Sequence, residues 1–304
     1  MNPKDLAEYT AFRGLVGGLQ AMPGAAARRA LLSLGRLAMK WPPGRPALVR
    51  RQLAAAFPQE DAARLDYRME LIYNHLALTA WEIFCADRQA LMDAARVDPG
   101  WDILDSALAA GKGAILASGH LGNFELGGAF IARRHALLDV VKTQRNRRFD
   151  AYLDGMRRAG GIQTVPMPHS AGPILRHLRA GGLVSLLLDQ DAGAQGVVID
   201  FLGRPASTWP GAARLSLRTG CPVVPTAMIR EDNGRHCLRL GPILWPREYE
   251  DTPAGVSSYL QKISSSFEAF VLEHPEQWFW VHRRWKSVKV ENRHGAEERQ
   301  RHPW

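Results

Sequence analysis

The sequence lacks several features that would each point to a class of protein. No apolar run reaches the roughly 18 uncharged residues that indicate a membrane-spanning helix. Its three cysteines, Cys85, Cys221 and Cys237, are widely spaced and form neither a CxxC pair nor a Cys/His zinc pattern. We therefore expect reduced thiols, as in a cytoplasmic protein, with no metal site and no cofactor. A G-x-S-x-G nucleophile elbow is also missing, which disfavours a serine hydrolase.

The beginning of the chain lacks the charged-then-apolar layout and the cleavage site of a secretory signal. Pro23 and several cationic residues interrupt the stretch 9–41. Within it, residues 15–39 place apolar side chains at helical spacing, with arginines on the opposite face. This pattern predicts one amphipathic helix, which either lies on a membrane interface or packs on the protein's own domain.

Positive charge exceeds negative charge, with 39 Lys and Arg against 30 Asp and Glu in 304 residues. A net charge of +9 predicts an acidic partner, such as a nucleic acid, an anionic membrane or an acidic carrier protein. We expect no nucleic acid, because no recognised nucleic-acid-binding motif is present. The segment 278–286 mixes aromatic and cationic residues, a combination that suits an anionic membrane surface.

Strand and helix patterns alternate from residue 113 onward. Apolar strands are predicted at 114–118, 138–143, 162–166 and 183–188, with helical segments between them, whereas residues 46–96 are predicted to be helical. Strands separated by helices of this length predict a sheet with parallel neighbours. The fold class is therefore α/β, with a mixed, largely parallel central sheet flanked by helices and an N-terminal helical layer.

A histidine and a glutamate five residues apart, His120 and Glu125, follow the strand predicted at 114–118. In a regular helix such positions lie about 140° apart, so the two side chains meet only if His120 lies in the loop before the helix. Gly119 and Gly122 make such a tight loop sterically accessible. Glu125 could then hold one ring nitrogen while the other removes a proton from an alcohol. The alternative is a structural histidine and a glutamate favoured by the helix dipole.

Four segments resemble, in order, the landmarks of the lipid A biosynthesis (lauroyl/myristoyl) acyltransferase family, within the larger lysophospholipid acyltransferase group. They are SGHLGNFEL at 118–126, LLDQD at 187–191, FLGRPA at 201–206 and WVHRRWK at 280–286. The resemblance implies a glycerolipid-acyltransferase-like fold and transfer of an acyl chain from acyl carrier protein or acyl-CoA to a hydroxyl of a lipid A precursor. It makes His120 the base and Glu125 the residue that orients it. It also implies a peripheral enzyme on the cytoplasmic face of the bacterial inner membrane.

Other residues are predicted to bind substrate or stabilise charge during the reaction. Backbone N–H groups near Gly122 and Asn123 would stabilise an oxyanion. Where the family usually has Tyr-Arg after the second strand, this chain has a valine followed by Lys142. Because a lysine does not replace a bidentate arginine, either Lys142 holds the acidic group of the substrate less specifically or Arg145 or Arg158 does so.

Asp189, Gln190 and Asp191 follow the buried strand predicted at 183–188. Two carboxylates there are costly unless they are paired or hydrated. They either line the crevice beside His120 and bind cations or acceptor hydroxyls, or they cap a turn.

We divide the chain into an amphipathic segment 1–44 that can associate with a membrane, a single acyltransferase domain 45–291 and a polar tail 292–304. The Lys142 departure leaves other acceptors open: a phosphatidylinositol mannoside, an aminolipid or a lysophospholipid. A non-catalytic lipid-binding protein on the same scaffold is the alternative from a different functional class.

Overall fold

The computed structural model describes residues 3–40 and 44–288. The tail predicted at 292–304 and the prolines at 42 and 43 lie outside these residues. The described chain is an α/β fold, as predicted, with helices on both faces of a sheet. The helices are α1 (Pro3–Gln20), α2 (Gly24–Lys40), α3 (Gly44–Ala56), α4 (Ala62–Phe84), α5 (Arg88–Asp93), α6 (Asp102–Leu108), α7 (Phe124–Ala132), α8 (Arg147–Ala159), α9 (Ala171–Arg179), α10 (Gly211–Thr219) and α11 (Pro253–Glu273).

The described residues form a seven-stranded sheet and a separate two-stranded hairpin. The strands are β1 (Arg96–Asp98), β2 (Ala114–Ser118), β3 (Leu137–Val141), β4 (Gln163–Pro166), β5 (Leu183–Leu187), β6 (Val197–Phe201), β7 (Arg204–Thr208), β8 (Val223–Arg230) and β9 (His236–Leu240). The sheet order is β1-β9-β8-β2-β5-β3-β4, and only the β8–β9 pair is antiparallel. The prediction of a largely parallel sheet is confirmed.

Strand β2 is central and is buried on both faces, which explains its continuous apolar sequence. On one face, apolar residues of the sheet pack against α9, α10 and α11. On the other face they pack against α5, α6 and α7. A third apolar cluster joins α3 and α4 to the C-terminal segment 278–285.

The N-terminal region forms two helices, so the single helix predicted at 15–39 is wrong. The first helix ends at Gln20 and the second begins at Gly24, because Pro23 between them supplies no backbone N–H to continue the first. Helix α1 packs on α8, and α2 packs along α4. Leu15, Leu34 and Leu37 stay exposed on these packed helices. No helix of the described residues is long and apolar enough to cross a membrane.

The C-terminal aromatic and cationic segment is largely internal, which corrects its predicted place at a membrane interface. Trp278, Trp280 and Trp285 are buried and pack against one another. Arg284 is fully buried, and its guanidinium donates to Ser207 O and to Thr208 Oγ1, each at 2.5 Å. These contacts fix the segment against β7.

The β6–β7 hairpin was not predicted from the sequence. Its two-residue turn, Leu202-Gly203, has positive φ at both positions (52° and 68°), which is the geometry of a type I′ turn. Leucine rarely adopts a positive φ. Only Gly203, of the two turn residues, is therefore of a type that predicts such a turn. The turn places Arg204 at the first position of β7.

Candidate active site

The predicted histidine lies at the carboxyl edge of the sheet, between two neighbouring parallel strands. His120 follows β2 by two residues, and Asp189 follows β5 by two residues. Strands β2 and β5 pair in register, with Ser118 opposite Leu187. The two side chains are therefore brought together although they are 69 positions apart in the sequence, at the edge where α/β sheets place their sites.

The Asp189 carboxylate makes three hydrogen bonds, two with His120 and one with Trp278. His120 Nδ1 lies 2.8 Å from Asp189 Oδ1, and the His120 backbone N–H donates to Oδ2 at 2.7 Å. The indole N–H of Trp278 also donates to Oδ2, at 2.9 Å. The Asp189 side chain is 2% exposed and the His120 side chain 19%, so the ring reaches the surface while its partner does not.

The charges of this pair reinforce each other. Burial alone would lower the pKa of His120, but the Asp189 carboxylate and its hydrogen bond outweigh burial and raise that pKa. Burial would raise the pKa of Asp189, but His120 and the surrounding donors lower it. Because Nδ1 faces a carboxylate, the proton of the neutral ring sits on Nδ1 and Nε2 carries the lone pair. His120 can therefore act as a base through Nε2.

The Nε2 side of the ring has aromatic and amide neighbours. Gln190 Nε2 lies 3.3 Å from His120 Nε2 and can donate to it. The rings of Phe124 and Phe279 lie 4.9 and 5.7 Å from the imidazole, measured between centroids. Gln190 is thus brought to the site, as predicted, and the two aromatic rings were not identified from the sequence.

The two glycines that flank His120 lie where the fold leaves no room for a side chain. A Cβ at Gly119 would meet the Phe267 ring and come within 2.8 Å of Asp189 Cγ. Gly122 has a φ of +63°, and a Cβ there would clash with the carbonyl of Met228. His120 lies in the loop before α7, which confirms that part of the prediction.

The orienting partner predicted for His120 is corrected by the structure. Glu125 faces Arg157, with Nη2 donating to Oε1 at 2.5 Å and Nε donating to Oε2 at 3.1 Å. The helix phase places the Glu125 side chain toward α8, and Asp189 occupies the ring nitrogen that Glu125 was expected to hold. Glu125 and Arg157 remain close enough to His120 to influence its pKa.

A second carboxylate accompanies the Glu125–Arg157 pair. Burial, reinforced by the charge of Glu125, raises the pKa of Asp139 to about 7. Its Oδ1 is buried and finds no hydrogen-bond partner among the described residues. The two acids and Arg157 therefore form one charge cluster between the sheet, α7 and α8.

The three cations that were predicted to bind substrate make their contacts away from the His120–Asp189 pair. Lys142 is exposed, Arg145 pairs with Glu8 at 3.3 Å, and Arg158 pairs with Asp154 on its own helix at 2.9 Å. Arg157, the neighbour of Arg158, pairs instead with Glu125 in the first turn of α7. The sequence pair Arg157-Arg158 could not show which of its members faces inward.

The predicted oxyanion donors at Gly122 and Asn123 are already used within the fold. Gly122 N–H donates to Gln277 O at 3.0 Å, and Asn123 N–H donates to Met228 O at 2.8 Å. The Asn123 side chain caps α7 by accepting from Leu126 N–H at 3.0 Å. Both residues hold the loop in place rather than facing a ligand, which corrects the prediction.

Asp191 also differs from its predicted role as a substrate ligand. Its backbone N–H donates to His282 Nε2 at 3.0 Å, and its side chain accepts from Ser287 Oγ at 2.5 Å. These contacts tie the loop after β5 to the C-terminal segment.

A buried ionic network contacts the histidine loop through Asn123. Glu82 accepts two hydrogen bonds from the Arg230 guanidinium, both at 2.6 Å, and also accepts from Asn123 Nδ2 at 2.9 Å. Arg230 Nη1 donates to His75 Nδ1 at 2.7 Å. Burial would raise the pKa of Glu82, but Arg230 and His236 lower it to about 2. The network therefore links α4 and β8 to the start of α7.

Stability is expected to fall as the pH falls below about 6.5, because burial and Arg230 lower the pKa of His75 to about 3. Between pH 6.5 and pH 3 the unfolded chain binds a proton on this histidine that the folded chain excludes. The free energy of unfolding therefore falls by up to about 1.4 kcal/mol for each pH unit. A His75→Gln variant should show a flatter decrease in the free energy of unfolding between pH 7.5 and 5, measured with urea. Equal slopes in both proteins would contradict the assignment.

The fold and this site define an α/β protein with a histidine–aspartate pair at the carboxyl edge of a parallel sheet. The chain belongs to the bacterial lipid A biosynthesis acyltransferase family, which it matches over residues 6–287. The predicted resemblance is confirmed.

Curated relatives of two kinds are similar to this chain. A phosphatidylinositol mannoside acyltransferase of Mycobacterium tuberculosis is 29% identical over 204 residues, 65% of this chain and 62% of the relative. The Mycolicibacterium smegmatis protein of the same name is 27% identical over 282 residues, 88% of each chain. The lipid A biosynthesis lauroyltransferase of Escherichia coli is 24% identical over 264 residues, 84% of this chain and 83% of the relative. The match thus spans about three fifths of the Mycobacterium tuberculosis protein and most of the other two.

Proposed function

We propose that this chain transfers a fatty acyl group from a thioester donor to a hydroxyl of a glycolipid, with His120 as general base. His120 Nε2 takes the proton of the acceptor hydroxyl while the oxygen attacks the thioester carbonyl. The tetrahedral intermediate then expels the thiolate, which receives the proton from the imidazolium. An ester and a free thiol are formed, and the histidine is regenerated.

The His120–Asp189 pair is the observation that carries this proposal. An aspartate that is almost fully buried fixes the tautomer, orients the ring and stabilises the imidazolium that forms during the reaction. The exposed edge of the ring carries the basic nitrogen. Membership in a family of acyltransferases supplies the reaction class.

Arg157 is proposed to hold a negatively charged group of a substrate or of the intermediate, and Glu125 to position it. The guanidinium donates two hydrogen bonds to the Glu125 carboxylate, which fix it and leave its remaining N–H groups for a ligand. In this proposal Glu125 contributes to catalysis by positioning Arg157 rather than His120. Arg157 takes over the role expected of Lys142, Arg145 or Arg158.

The proposed acceptor is a lipid A precursor or a related glycolipid. The relatives named phosphatidylinositol mannoside acyltransferase, which are 27–29% identical to this chain, support a phosphatidylinositol mannoside as a second candidate. Both acceptors would present a sugar hydroxyl next to an anionic lipid headgroup, so either one suits the basic surface of the chain.

The proposed partners and location follow from the same chemistry. An acyl carrier protein or acyl-CoA supplies the thioester, and the enzyme works as a peripheral protein on the cytoplasmic face of the inner membrane. The segment 1–44 supports membrane contact, because Leu15, Leu34 and Leu37 are exposed beside exposed arginines of α2. Residues 45–291 would form the acyltransferase domain.

The decisive experiment incubates the purified chain with lauroyl and myristoyl acyl carrier protein and with acyl-CoA, together with lipid A precursors and phosphatidylinositol mannosides. Mass spectrometry should detect an acyl gain on one acceptor that is lost in the His120→Ala variant. Lipid binding without any acyl gain would support the non-catalytic alternative and contradict the proposal.

A further inference from the structure

We infer that a cationic pocket outside the histidine site binds a phosphate group. The pocket has a volume of about 430 Å³ and is lined by Leu48, Arg51, Gln52, Arg204, Arg283, Trp285 and Lys286. Four of these seven side chains are cationic, and none of the described lining residues is acidic. A volume of this size is typical of pockets for small molecules.

Three of the four cations of the pocket lack a counter-ion among the described residues. Arg51, Arg283 and Lys286 make no side-chain hydrogen bond or ion pair with another residue of the described ranges 3–40 and 44–288. Nearby arginines such as Arg50 and Arg68 do pair with carboxylates. Like charges gathered without a counter-ion among the described residues repel one another, so a bound anion would stabilise the arrangement.

Arg204 is positioned by the hairpin and by an aromatic ring. It begins β7 directly after the constrained turn at 202–203, and its guanidinium lies 4.5 Å from the centre of the Trp285 ring. Arg204 is partly buried, and this burial lowers the pKa of its guanidinium. A partly desolvated guanidinium binds an oxyanion more strongly than a fully hydrated one.

The other walls of the pocket are held rigidly by buried contacts. Gln52, on α3, is buried and donates to the carbonyls of Trp280 and His282 at 2.7 and 2.9 Å. The buried Arg284 fixes the chain between the pocket residues Arg283 and Trp285. The pocket is thus preorganised from α3, the hairpin and the C-terminal segment.

Trp285 adds a second indication of a ligand. The residue lines the pocket and is 7% exposed, and its indole N–H is buried without an acceptor among the described residues. A buried donor of this kind is normally paired, and the described residues supply no acceptor for it. Phosphate oxygens in the pocket would accept from the guanidinium groups and are acceptors of the kind that this indole lacks.

The pocket is separate from the histidine site, although the aromatic cluster connects the two. The Trp285 ring packs against Trp278, with 6.0 Å between centroids, and Trp278 donates to Asp189. The phosphate has two possible sources, an anionic phospholipid headgroup or the phosphopantetheine arm of the donor. The choice between these sources rests on the proposed function, whereas the affinity of the pocket for phosphate does not.

The test compares two double variants with the same change in net charge. Arg51→Gln with Arg283→Gln removes two pocket cations, and Arg179→Gln with Arg214→Gln removes two exposed arginines of α9 and α10. Binding is measured by calorimetry with coenzyme A and by co-sedimentation with vesicles of phosphatidylcholine containing phosphatidylglycerol. Circular dichroism confirms that both variants are folded.

We expect the pocket variant to bind at least one probe at least tenfold more weakly than the wild type, and the control variant to bind within twofold of it. Loss with coenzyme A assigns the pocket to the donor, and loss with vesicles alone assigns it to the lipid; both outcomes support the proposal. Equal weakening by the two variants would show general charge attraction and overturn it. Absence of binding by the wild type to both probes would also overturn it.

Discussion

Replacing Asp189 with asparagine is expected to lower kcat for acyl transfer by about 10²–10⁴-fold, the usual contribution of a well-oriented general base. Asparagine keeps the shape of the side chain but removes the charge that stabilises the imidazolium. It can also present its amide to Nδ1, which would favour the tautomer with the proton on Nε2 and no lone pair for the acceptor. The measurement is single-turnover acyl transfer with saturating donor.

The matched comparison is Glu125→Gln, which makes the same chemical change at the residue that the sequence motif selects. Because Glu125 faces Arg157, we expect this variant to raise KM for the phosphate-bearing or otherwise anionic substrate, in addition to any loss in kcat. An Asp189→Asn variant with nearly wild-type kcat, beside an inactive Glu125→Gln variant with unchanged KM, would refute the assignment of roles.

Replacing Glu82 with alanine is expected to destabilise the fold by about 3–5 kcal/mol, since it leaves the Arg230 charge buried without its carboxylate. The change also removes the acceptor for Asn123 Nδ2, which lies beside the loop that carries His120. The free energy of unfolding, measured with urea at pH 7.5, tests this expectation.

The double variant Glu82→Leu with Arg230→Met is the control for this prediction. It removes both charges and keeps the volume, so we expect it to be several kcal/mol more stable than Glu82→Ala. If Glu82→Ala costs less than 1 kcal/mol, or if the double variant is as unstable as the single one, the network does not support the loop as described.

Most of the sheet could be predicted because each buried strand is an apolar run between helices. The strand at 114–118 was predicted to the residue. The two-helix N-terminus was missed because apolar spacing continues across Pro23. The hairpin at 197–208 was missed because its turn contains a leucine with positive φ.

The site was predicted in part. His120 and its loop followed from a local motif, whereas its partner depends on the lateral order of strands, which no local pattern reveals. The position of Asp189 at a buried strand end was a usable signal, since carboxyl ends of adjacent parallel strands meet. Arg157 was missed because the rotational phase of α8 decides which of two neighbouring arginines faces Glu125.

The dependence of kcat/KM on pH in the wild type and in Asp189→Asn tests the central claim most directly, because the base must be neutral to accept a proton. We expect activity to fall as the pH falls through the His120 pKa, which the Asp189 charge raises above its ordinary value of 6.5 against the effect of burial. In Asp189→Asn this acidic limb should move to lower pH, since burial then dominates. An Asp139→Asn variant removes the nearby acid with a pKa of about 7. In this variant the acidic limb of the kcat/KM profile should stay at its wild-type pH. A limb that stays in place in Asp189→Asn would contradict the claim that Asp189 prepares His120 for catalysis.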